Sequence, residues 1–225
     1  MSIPALPAPI PALTAADIET DFDVYAADVA VVIPLARTTN LHGNLLLGYS
    51  FFGLDDAFSL SATAVTATTT PVMTVRDLYS VDNRFHGGQI GIQNNFGDGR
   101  WSILTNLIGH IGSMEQMVSV RGLTTTTTIT TTTPTTTTTT VPSPGALNLS
   151  VNQGTFTRDV FTAIPEVFLG FEYRILVDTS VRLGYNFLYV PEVAFAGDFV
   201  NDGPIRFRDS SFTMHGLDFG VSISY

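Results

Sequence analysis

Along much of the chain apolar and polar residues alternate. Residues 181–190 show it most cleanly: Val181, Leu183, Tyr185, Phe187 and Tyr189 share one face, and Arg182, Gly184 and Asn186 share the other. Residues 216–225 repeat the pattern, with Leu217, Phe219, Val221, Ile223 and Tyr225 opposite Asp218, Gly220, Ser222 and Ser224. Successive side chains of a strand point to opposite faces, so each segment has an apolar and a polar side. The same period predicts strands over residues 21–36, 41–62, 84–96, 100–122 and 156–177, about seven in all. In 41–62, Leu45, Leu47, Tyr49 and Phe51 oppose His42, Asn44 and Ser50, and the phase is expected to switch at a bulge near Gly53. In 100–122, Trp101, Ile103, Leu107 and Ile111 oppose Ser102, Asn106 and His110, with a slip expected near Gly112.

The connections sort by length. Residues 37–40, 97–99 and 177–180 read as short turns, with Asp98-Gly99 suited to a tight hairpin. Residues 63–79, 123–154 and 191–211 read as long loops, and 123–154 is almost all threonine. With no apolar face to bury, 123–154 is expected to be a mobile loop. Counted back from the last strand, the long connections fall on one side and the short ones on the other. That is the signature of an outer-membrane barrel with short periplasmic turns and long outer loops. Aromatics fall near both ends of the strands, as in a pair of interfacial belts. The fold expected is therefore all-β: an antiparallel up-and-down transmembrane β-barrel of about eight strands, or part of a larger one. Residues 1–20, rich in Pro and Ala, form an N-terminal segment ahead of the barrel at 21–225.

Composition narrows the function. The chain is 44% hydrophobic, yet no apolar run is long enough for a membrane helix. There are 20 acidic residues against 10 basic ones, all Arg, for a net charge of −10. This argues against a nucleic-acid partner and would make a pore cation-leaning. No Cys is present, which excludes disulfides and thiolate metal sites. Residues 1–11 lack the basic start and unbroken apolar stretch of a secretory leader. That, with the odd strand count, leads to the expectation of a partial chain or of closure by other means.

Glu166, Glu172, Arg174, Arg182, Asn186 and Asp218 fall on the inward face. They either set ion selectivity or form a salt-bridged filling of a narrow barrel. Trp101, Tyr173, Tyr185, Phe187, Tyr189, Phe219 and Tyr225 fall on the lipid face. His42, His86, His110 and His215 have no ligand spacing, and Asp198, Asn201, Asp202 and Gly203 do not match a calcium loop, so no metal or cofactor is expected. No Gly-x-Ser-x-Gly occurs, so an enzyme is not expected; a lipid hydrolase would depend on His110. Gly87, Gly88 and Gly91 lie within a strand and read as close approaches, not a phosphate cradle.

Several stretches, in order, resemble the Putative beta barrel porin-7 family of outer-membrane proteins. They are Gly48-Tyr-Ser-Phe-Phe-Gly-Leu-Asp-Asp56, Gly87-Gly-Gln-Ile-Gly91 with Arg100-Trp101, Pro165-Glu166 with Leu169-Gly170-Phe171, Gly184-Tyr-Asn-Phe-Leu-Tyr189, Gly197-Asp198 and Gly216-Leu-Asp-Phe-Gly220. The resemblance implies a porin-like barrel in the outer membrane, with lipid and the barrel-assembly machinery (through the last strand) as partners. It implies no ligand and no catalytic residue. The competing reading is a secreted soluble β-sandwich that binds or scaffolds.

Overall fold

A computed structural model describes residues 12–65, 71–97, 99–132, 135–147, 152–200 and 204–223. Eight strands are present among them: β1 (Ala12–Arg37), β2 (Leu41–Val65), β3 (Pro71–Gly97), β4 (Trp101–Thr132), β5 (Thr135–Ser143), β6 (Gly154–Arg174), β7 (Thr179–Val193) and β8 (Ser210–Ile223). They form one sheet in the order β1-β2-β3-β4-β6-β7-β8, with β5 on β4. Every pairing is antiparallel. The chain therefore runs up and down, as its alternation predicts.

The sheet curls into a half-barrel. Asp28 on β1 comes within 4.0 Å of His110 on β4 although β2 and β3 lie between them in the sheet. The rings of Phe22 on β1 and Phe212 on β8 lie 5.7 Å apart, so the first and last strands meet through side chains. No ladder joins β1 to β8 among the described residues.

Several strands are longer than the sequence suggests. β1 starts at Ala12, not at 21, because Asp17, Glu19, Asp21 and Asp23 already alternate with Ala16, Ile18, Thr20 and Phe22. The stretch expected as a loop at 63–79 is mostly the ends of β2 and β3, with Thr63 paired to Thr74. The threonine-rich stretch also corrects a loop reading: β4 continues to Thr132, and β5 folds back on it with Thr127 opposite Thr140. Threonine is β-branched and favours extended backbone, and neighbouring ladders supply the hydrogen bonds that an isolated stretch would lack. Tyr225 lies outside the described residues.

Neither expected phase break occurs. The ladders on both sides of Gly53 and of Gly112 run without a register shift. What changes there is the chemistry of the inward face, from polar to apolar. Register shifts fall between Leu13 and Ala15, between Pro34 and Ala36, and between Val190 and Val193. Pro34 removes a ladder donor. In the last of the three, Glu192 adopts a φ of 57° and turns the chain inward.

Candidate lumenal site

Two levels divide the half-barrel. At the level of the short turns the convex face is apolar over about ten residues per strand, the length that crosses a bilayer. The outward residues there include Val29, Val31, Ile33 and Leu35 on β1, Ile90 and Ile92 on β3, Ile103, Leu107 and Ile111 on β4, and Leu169 and Phe171 on β6, all exposed. Leu217 and Phe219 on β8 are 80% and 74% exposed. Trp101 and Phe96 pack edge to face at the short-turn end, and Tyr49 and Phe51 contact His86 at the other. Above this belt the convex face becomes charged, with Asp23, Asp55, Asp82, Arg84, Glu115 and Asp159.

The concave face inverts the order. At the belt's level it is polar: Asn44 donates to Gln93 at 3.1 Å, and Arg37 donates to Asn44 at 3.1 Å. Phe168 lies against Gly170 and Gly184, where a Cβ would meet its ring at 2.8 and 2.5 Å, so the phenyl needs both glycines. Above the belt the interior is a dry core. Phe52, Leu54, Phe85, Met114, Ile164, Val190 and Val193 form one cluster. Tyr79, Val81, Val118, Val120, Ala194, Ala196 and Phe199 form the next.

The upper cluster closes because the β7–β8 connection folds into the sheet. Asn83 holds it: Nδ2 donates to the Ala194 carbonyl at 2.9 Å, and the Ala194 N–H donates back to Oδ1 at 2.8 Å. Gln116 donates to the Glu192 carbonyl at 2.6 Å, and Asp56 accepts from the Ala196 N–H at 2.7 Å. A short 3-10 helix, Ala196–Phe199, presents Phe199 to the sheet. Arg158 then clamps the outgoing chain by pairing with Asp209 and lying 5.0 Å over Phe207. The connection is thus an inward plug at the long-loop end.

Beneath the plug lies a cavity of about 460 Å³, where β1 and β8 face each other across the open seam. Its polar lining includes Asp28, Ser50, His110, Glu166, Asn186 and Asp218. Phe52, Ile164, Leu188 and Met214 belong to its apolar part together with Ala26, Phe187 and Leu217, and His215 also lines it. Arg182 donates to Asp218 at 3.0 Å and balances that charge. His110 is 3% exposed, and its Nε2 lies 3.2 Å from Glu166 Oε2. A carboxylate can only accept, so Nε2 carries the proton. No arginine pairs with Asp28 or Glu166 among the described residues, so the cavity is acidic.

The sequence-selected residues separate into groups. Glu166, Asn186 and Asp218 line this cavity, and Arg182 adjoins it through Asp218. Glu172 and Arg174 lie lower, around a smaller recess at the short turns with His42 and Arg100. No ion pair joins Glu172 to Arg174 or Arg182 among the described residues, so the expected salt-bridged filling reduces to Arg182–Asp218 and His110–Glu166. Trp101, Tyr173, Tyr185, Phe187, Tyr189 and Phe219 sit on the convex side by register. The alternation alone does not single out Asp28, Asn83 or the plug. Asp28 is one polar residue in an apolar stretch, and Asn83 gives no local signal. Asp198 accepts hydrogen bonds from the Phe195 N–H and from Ser210 within the plug, and Asn201, Asp202 and Gly203 lie outside the described residues. No metal-holding group occurs among the described residues, and no hydrogen bond joins Ser50 to His110 among them.

No curated protein and no solved structure matches the chain. The model of one family, described as Putative beta barrel porin-7, matches residues 12–225. That match spans every strand, and the chain belongs to this family.

Proposed function

We propose that the protein is a membrane-embedded, porin-like barrel of the outer membrane that passes small solutes passively, with a preference for cations. One observation carries this reading. At one level most strands are apolar outward and largely polar inward, which suits lipid outside and water inside, and β1 departs from this with Ala30, Val32 and Pro34 on its inward face. The family's name supports a porin. Asp28 and Glu166 supply the inward negative charge, and the plug confines the path beside it to small solutes. The reading includes no catalytic step: no nucleophile–base pair stands in the cavity among the described residues. A secreted sandwich would need a second sheet over the convex face, and all the described strands lie in one sheet.

Purified protein in a planar bilayer under a KCl gradient tests this. The reversal potential is expected on the cation side and to move towards zero in Asp28→Asn with Glu166→Gln. An anion-selective potential would overturn the cation preference, and the absence of any conductance would overturn the pore.

A further inference from the structure

We propose that the seam cavity binds an organic ammonium cation, its N–H groups held by Asp28, Glu166 and His110 and its apolar part lying along Phe52, Ile164, Leu188 and Met214. This names the solute class of the pore reading and rests on that reading only in taking the cavity to be reachable from water. The Nε2–H of His110 is committed to Glu166. Its Nδ1 is buried and has no hydrogen-bond partner among the described residues. The group it faces is Asp28 Oδ1, at 4.0 Å. In the neutral ring Nδ1 is an acceptor facing a second acceptor, with no donor between them. In the protonated ring Nδ1–H points at a carboxylate too distant to accept it. A buried polar atom without a partner is costly. A ligand bearing both positive charge and N–H donors, placed between Asp28 and His110, satisfies both acceptors with charge-assisted bonds.

The rest of the lining selects among cations. Asp28 is 41% exposed on its side chain and Glu166 30%, so both keep faces open to the cavity. Asp218 is already paired with Arg182, which leaves Asp28 and Glu166 as the uncompensated charges. A hydrated metal ion would leave Phe52, Ile164, Leu188 and Met214 against water. An amine with an aryl or alkyl group covers them, and about 460 Å³ accommodates a molecule of that size.

The test is calorimetric titration of refolded, detergent-solubilised protein with benzylamine, benzyl alcohol and tetramethylammonium at neutral pH, with protein-free micelles as blank. Benzylamine is expected to bind saturably, one per chain. Benzyl alcohol, which lacks the charge, and tetramethylammonium, which lacks N–H, are expected to bind more weakly. Asp28→Asn and Glu166→Gln, each checked for folding by heat-modifiable migration, should each weaken benzylamine at least about tenfold, the scale of one charge-assisted bond. Glu19→Gln, outward and above the belt, should change nothing. The proposal is overturned if benzylamine does not saturate, if benzyl alcohol or tetramethylammonium binds equally well, or if both cavity variants keep wild-type affinity. Because binding is read in detergent, it is independent of conductance. Binding without conductance defeats the pore reading and leaves the site standing, and conductance without binding does the reverse.

Discussion

Two single residues carry testable energetic weight. Asn83 is fully buried and bonded to both backbone groups of Ala194. Asn83→Ala strands that N–H and carbonyl in an apolar cluster, at a cost on the order of 2–4 kcal/mol. The expected result is a lower urea midpoint and a larger single-channel conductance as the plug loosens; an unchanged midpoint would count against the clamp. Asp55 lies outward above the belt, beyond the membrane-crossing stretch, directly opposite Asp23 and Asp82. Burial, and then the Asp82 charge, push its carboxyl above the ordinary carboxylate value of 3.8. The folded state therefore holds this proton more tightly than the unfolded chain does. Stability tied to Asp55 is greatest at low pH and is lost as pH rises from the unfolded value through the raised folded one. Asp55→Asn should raise the urea midpoint at neutral pH and flatten its decline between acidic and neutral pH. A lower midpoint at neutral pH would contradict the assignment.

At the scale of the strand, the alternation makes a paired prediction. Leu183 faces outward in mid-belt and Asn186 faces the cavity. Leu183→Arg should destabilise the lipid-reconstituted protein by about 2–4 kcal/mol, the cost of arginine on a barrel's lipid face. Asn186→Arg should leave stability within about 1 kcal/mol and shift ion selectivity towards anions. Equal effects on stability would mean that the faces are misassigned. The same alternation made the lower half of each strand legible, because apolar-out and polar-in is a contrast that period two reveals. Higher up the contrast reverses. Phe52 and Leu54 on β2 and Met114 and Val118 on β4 turn apolar residues inward against the plug. Read locally, that reversal imitates a bulge at Gly53 or Gly112, whereas the backbone keeps its register. The threonine strands were illegible for a different reason: identical residues on both faces carry no contrast at all. The Asp28–His110 approach depends on the curl of the sheet, which no spacing along the chain encodes.

For the molecule as a whole, the strands outrun the membrane. β4 has 32 residues, on the order of 100 Å at strand rise, whereas about ten residues cross a bilayer. On the membrane placement proposed above, the remainder of the sheet, with its acidic convex face, its apolar core and the β4–β5 hairpin, stands beyond the lipid on the long-loop side. The edges of β1 and β8, unpaired among the described residues, fix the condition for such an arrangement: in lipid they must be brought together or covered. The central claim is that the lower convex belt is the surface that meets the acyl chains. Trp101, the single tryptophan, stands in that belt beside the short turn and is 37% exposed. Its fluorescence in reconstituted vesicles, with brominated lipids set against aqueous iodide, reads the belt directly. Strong quenching by lipids brominated near the headgroup end of the chain, with little quenching by iodide, is the result predicted. Full access to iodide together with indifference to the brominated lipids would place the belt in water and contradict the barrel in its membrane.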